Sequence, residues 1–128
     1  MNLALITSGR VLLALYFLLP GIMKFVSWDM HVALMAEHNM QMIPLLLATA
    51  GVFEILAALA LIANRYTVYV SLMLAGLVVI INFSLHDFWN YTGIEGAHEM
   101  QNFIKNLGIL AGLLVLAGHS SKHEAKAE

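Results

Sequence analysis

The chain contains no cysteine, which removes disulfides, thiolate zinc sites, iron-sulfur ligation and dithiol redox chemistry from anything it does alone. Any electron transfer therefore calls for a bound cofactor, a metal or a partner. Charge is nearly as scarce: Asp, Glu, Lys and Arg make up 11% of the 128 residues, against roughly 25% in an ordinary soluble domain. The formal net charge is -2 at pH 7 with His neutral, so the concentrated basic surface that nucleic acid requires is missing. Proline is almost absent, and the two that occur, Pro20 and Pro44, fall where helices are expected to end or begin.

What fills the chain instead is apolar sequence, 61% of the residues. It recurs in about four runs near the ~20 residues that a helix needs to cross a ~30 Å hydrocarbon core. Span one is expected from about Leu3 to Ile22, with Pro20 near its exit. Span two starts at Pro44, which suits a first helical turn, and runs to about Ala63. After the polar corner Asn64-Arg65, span three covers about Tyr66 to Leu85. Span four covers about Met100 to Ala117 and stops at Gly118. The fold class is all-α, an integral membrane four-helix up-down bundle over residues 1–118, followed by a polar cytoplasmic tail at 119–128. Residues 1–23 read as a retained first span rather than a signal peptide, because Arg10 interrupts the run and no small-residue cleavage pattern follows.

Two longer connections, Lys24 to Ile43 and His86 to Glu99, lie on one side of the bilayer. Arg65, Lys122 and Lys126 lie on the other, so the positive-inside bias places both termini in the cytoplasm. In the first connection Phe25, Trp28, Val32 and Met35 recur at near-helical spacing, which predicts a short helix lying at the membrane surface.

Charges inside apolar spans are expensive without partners. Arg10 falls about 10 Å above the cytoplasmic end of span one, and Glu54 about 14 Å above that of span two. The matching depths predict a buried Arg10–Glu54 pair. Either it fixes helix register, or Glu54 exchanges a proton with a quinol or a transported species.

At the opposite end, Lys24, His86, Trp89 and His98 gather near the long connections. Lys105, with Asn106 beside it, lies about 7 Å below the start of span four. These residues predict a polar pocket roofed by the two loops, with Lys24, His86, Trp89, Lys105 and Asn106 as head-group contacts. Glu54, His86, His98 and Lys105 are then the candidate catalytic residues, because His and carboxylate side chains manage protons near neutral pH. The competing reading is ordinary interfacial histidines and a lysine that snorkels to the headgroups. A Met- and His-rich stretch in the first loop adds His31, Met35 and His38 as candidate copper ligands, since thioether and imidazole suit Cu(I).

In order and spacing, Arg10, Gly21-Ile22-Met23-Lys24, Glu54, His86-Asp87-Phe88-Trp89 and Phe103-Ile104-Lys105-Asn106-Leu107 resemble the DoxX family of small bacterial and archaeal membrane proteins. The likeness runs from Arg10 to Leu116. Ala57-Ala58 stands where relatives often carry paired glycines after the span-two Glu. The resemblance implies a four-helix domain laid out like the vitamin K epoxide reductase-like bundle, and relatives include quinone-linked membrane subunits of thiosulfate oxidation. The leading expectation is thus a membrane oxidoreductase component that interacts with quinone and depends on a redox partner protein. Heme and copper remain open as cofactors, and a homo-oligomer is compatible with so small an interior. The rivals are a noncatalytic membrane subunit or assembly factor, and a carrier of small solutes or copper.

Overall fold

The computed structural model describes residues 2–127, with side chains described as far as Lys122. Among the described residues there is no strand. The elements are α1 (Asn2–Val26), α2 (Trp28–Glu37), α3 (Ile43–Ile62), α4 (Thr67–Leu85), a single 3-10 turn (Phe88–Asn90) and α5 (Gly93–Ala127). Four stretches are long and apolar enough to cross a membrane: Asn2–Val26, Ile43–Ile62, Thr67–Asn90 and Gly93–Lys122. Their exposed faces carry mostly Leu, Ile, Val and Phe, with Glu95, Lys105 and Lys122 as exposed charges on the last. Such surfaces suit lipid, the one solvent in which a helix with all its backbone bonds made internally needs no polar face.

The chain divides into two compact units, Met1–Val70 and Ser71–Glu128. In the first, α1 and α3 pack antiparallel. Ala14, Phe17 and Gly21 of α1 and Leu47, Gly51, Glu54, Ala58 and Leu61 of α3 are buried, a three-and-four spacing that sets one seam on each helix. Gly21 and Gly51 mark the closest approach. A Cβ at Gly21 would lie 3.1 Å from Glu54 Cβ and 3.3 Å from the Gly51 carbonyl oxygen, so small residues here let the backbones meet. The short helix that the first loop predicted is α2, buried at Met35.

Three boundaries differ from the sequence reading. α1 runs through Pro20 to Val26, because a membrane helix can absorb the missing proline donor within its neighbours. α5 begins at Gly93, not Met100. Gly93 takes a positive φ of 65° that turns the chain into the helix, and Glu95 supplies an acidic first turn. It also continues past Gly118 to Ala127, since one glycine inside a long helix costs only about 1 kcal/mol. Of the expected tail, Glu128 lies outside the described residues.

The corner between α3 and α4 is closed by the Arg65 backbone N–H on the Ala60 carbonyl at 2.9 Å. Asn64 and Tyr66 both adopt left-handed φ, and Thr67 Oγ1 donates to Asn64 Oδ1 at 2.8 Å.

Candidate functional site

In the first unit the buried carboxylate of Glu54 accepts a hydrogen bond from Lys24 Nζ at 3.0 Å. The lysine belongs to the last turn of α1, and helical side chains lean toward the N-terminus. Its ammonium is thus carried back down α1 to the level of Glu54, one turn past the Gly21–Gly51 crossing. Tyr16 of α1 and His31 of α2 both lie within electrostatic range of the same carboxylate. His31 Nδ1 is 2.8 Å from the Ser27 carbonyl, which can only accept, so Nδ1 carries a proton.

The expected Arg10–Glu54 pair is therefore corrected. Arg10 is buried, but its Nη1 donates to the carbonyl oxygens of Leu61 and, at 3.2 Å, Ile62. These are last-turn acceptors of α3 that have no partner within the helix. The depth estimate failed because it treated the ends of α1 and α3 as level. α1 starts about eight residues, roughly 12 Å, before the height at which α3 ends. Arg10 consequently meets the end of α3, while Glu54 lies level with the far end of α1.

In the second unit the buried Asn82 donates to the Phe103 carbonyl at 3.1 Å and accepts from Asn106 Nδ2 at 2.9 Å. This ties α4 to α5 by side-chain bonds that neither helix can make alone. Just past the end of α4, His86 Nδ1 lies 2.7 Å from Glu99 Oε2, and both side chains are about one-fifth exposed. A carboxylate on Nδ1 fixes the tautomer and leaves Nε2 as the proton acceptor. An aromatic cluster belongs to the same unit: Phe103 meets Phe83, Phe88 and Trp89 with ring centroids 5.4 to 6.1 Å apart, and Trp89 is exposed.

The expected head-group residues take different partners. Lys24 is engaged by Glu54, and Asn106 by Asn82. Lys105 and His98 are exposed on α5 and make no hydrogen bond or ion pair among the described residues. His86 instead takes Glu99 as its partner, and Trp89 belongs to the aromatic cluster of the same unit. Only the earlier start of α5 brings Glu99 onto a helix facing His86.

The copper set does not converge on one ion. His31 and His38 lie about two turns, roughly 10 Å, apart along α2 and its cap, and each Nδ1 is bound to its own helix backbone. Met35, between them, is buried. Among the described residues no group of three or more His, Asp or Glu side chains is placed to hold a metal.

The pattern of the DoxX family matches residues 5–87. The chain belongs to the DoxX family. The match covers α1, α2, α3 and α4 and ends at Asp87, so α5 with Glu99 and Lys105 lies beyond it. The chain is also 27% identical over 113 residues to the inner membrane protein YphA of Escherichia coli strain K12, covering 88% of this chain and 81% of that protein. No solved structure matches it significantly. Family membership, the inner-membrane relative and four apolar spans make this DoxX protein a multi-pass membrane protein.

Proposed function

We propose that this DoxX protein is a quinone-interacting membrane component that works with a redox partner, with His86, Glu99 and Trp89 at its head-group site. The observation that carries the reading is the His86–Glu99 dyad in the same unit as the Phe83, Phe88, Trp89 and Phe103 rings. A quinol hydroxyl would give its proton to His86 Nε2, and Glu99 would offset the charge left on the imidazolium. The aromatic rings would take the flat head group by stacking. Electrons would pass to or from the partner, since a cysteine-free chain has no dithiol or iron-sulfur relay of its own. Glu54 would be a second proton-bearing group, held by Lys24.

Binding of a quinone analogue to the purified chain tests this. Loss of a hydrogen bond to a charged group is worth about 1.5–3 kcal/mol, so His86→Gln and Glu99→Gln should each weaken binding at least about tenfold while unfolding in detergent stays near that of the parent. Unchanged affinity in both well-folded variants would sink the site. Turnover is expected only for a complex with its partner, and turnover by the cofactor-free chain would overturn the partner requirement.

A second reading, a noncatalytic subunit, draws on a different observation: Lys24 neutralises Glu54, and Arg10 serves α3, so these intramembrane charges already have structural employment. Bound quinone in protein drawn gently from its native membrane separates the two readings, whereas copurification with a redox protein does not.

The proposed orientation keeps both termini in the cytoplasm. Because the chain has no native cysteine, single substitutions report cleanly. Asn39→Cys should be labelled by an impermeant thiol reagent added outside spheroplasts, and Ser121→Cys only after lysis. The reverse pattern would invert the topology.

A further inference from the structure

Arg10 is only 9% exposed, yet it uses just one of its three guanidinium nitrogens. Nη1 donates to the Leu61 and Ile62 carbonyls. Nε and Nη2 make no hydrogen bond among the described residues, and neither is sealed from the surface. Three residues beyond Ile62 stands Arg65, which is exposed and whose side chain also has no hydrogen bond or ion pair among the described residues. Two cations therefore share the end of the first unit at which α3 stops.

Among the described residues of the first unit, no carboxylate answers them there. Residues 1–70 contain three acids, Asp29, Glu37 and Glu54. Glu54 is held by Lys24, and the other two lie on α2, which follows Lys24 in the chain; Lys24 is itself about 21 Å along α1 from Arg10. Among the described residues of the first unit, their negative counterpart is the carbonyl end of α3, worth roughly half a charge. The level also matters. α3 ends here in the polar corner Asn64-Arg65, so Arg10 lies where hydrocarbon gives way to headgroups rather than at the bilayer centre.

We propose that Arg10 and Arg65 form a binding site for a phosphate oxyanion, the headgroup phosphate of an anionic lipid or free phosphate, at the α3 end of the first unit. A planar guanidinium with two free donors suits paired phosphate oxygens. Arg65 adds a second charge, and the phosphate completes the neutralisation that the helix end begins. The site is independent of the quinone reading, because it lies in the other unit and uses none of the same residues.

The test is lipid retention by the full chain in native mass spectrometry, with phosphatidylglycerol, phosphatidylcholine and inorganic phosphate as separate probes. Phosphatidylglycerol should be retained in preference to phosphatidylcholine. Arg65→Gln, which leaves the Arg10 contacts to α3 in place, should reduce that retention about fivefold, the contribution of one basic residue near an anionic surface. Arg10→Lys keeps the charge but loses the planar fork and should fall between Arg65→Gln and the parent. Stabilisation of the parent chain by millimolar inorganic phosphate, lost in Arg65→Gln, would assign the site to free phosphate instead. Equal retention of the two lipids together with no response to phosphate would overturn the proposal, as would undiminished phosphatidylglycerol retention in Arg65→Gln.

Discussion

Lys24→Met is expected to destabilise the protein by about 3 kcal/mol, because it leaves the Glu54 carboxylate buried without its counter-ion. The figure is taken from the lower end of the range for broken buried pairs, since the Lys24 side chain keeps 15% of its exposure and solvent at that end shares the charge. Glu54→Met should cost less, because the lysine it strands stands near the end of α1 and can turn toward the headgroups. The informative variant is the double one. Replacing a buried ion pair by apolar side chains of similar volume is often neutral or better, so Lys24→Met combined with Glu54→Met should recover most of the loss. Unfolding of the three variants in detergent, compared as a double-mutant cycle, reads the coupling directly. Additive losses would mean that the pair contributes nothing as a pair. If the double variant is stable but no longer supports the partner-dependent activity, Glu54 has a role beyond packing.

The same cycle separates what the sequence revealed from what it concealed. That Glu54 needs a cation was readable from its place inside an apolar run. Which cation it takes was not, because Arg10 and Lys24 both lie on the neighbouring span. The choice depends on how far α1 slides past α3. Gly21 and Gly51 set that offset by permitting close contact at one level only, and no hydropathy pattern records it. Once the offset is known, each partner follows from elementary terms: the helix end attracts Arg10, and the backward lean of a helical side chain brings Lys24 to Glu54.

The second unit shows a different limit. His86 and Trp89 were legible as a candidate site because a histidine and an aromatic stood together at the end of a span. Glu99 was missed because the polar stretch Gly93 to Glu99 reads as loop, with two glycines and little apolar periodicity. In the structure it is the first turns of α5, and the helical spacing of Phe103 four residues after Glu99 places both on one face. Lys105 and Asn106 were grouped by adjacency in sequence, but neighbours on a helix point about 100° apart. Asn106 turns inward to Asn82, while Lys105 stays exposed. Four spans and the short helix of the first loop were legible because their signals are local; the pairings were not, because they belong to packing.

Gly21→Leu is expected to cost about 3 kcal/mol, the upper part of the usual range for overpacking, and to act on the ion pair as well as on the seam. A single Cβ there already stands 3.1 Å from both Glu54 Cβ and Ile55 Cγ1 and 3.3 Å from the Gly51 carbonyl oxygen. The last of these is backbone and cannot rotate away, so a leucine must push α1 from α3. Gly51→Ala offers the contrast. Its Cβ would fall 2.6 Å from the Phe25 ring, a closer clash on paper, but that ring is 41% exposed and can swing outward. Gly51→Ala should therefore cost less than Gly21→Leu, and Phe25→Ala in the same chain should relieve most of its loss. Unfolding in detergent ranks the variants, and the double-mutant cycle with Lys24→Met tests the link to the ion pair: once α1 and α3 are spread by Gly21→Leu, removing Lys24 should cost clearly less than about 3 kcal/mol. If Gly21→Leu leaves both stability and the cost of Lys24→Met unchanged, the close crossing of α1 and α3 is not what sets the register of this unit.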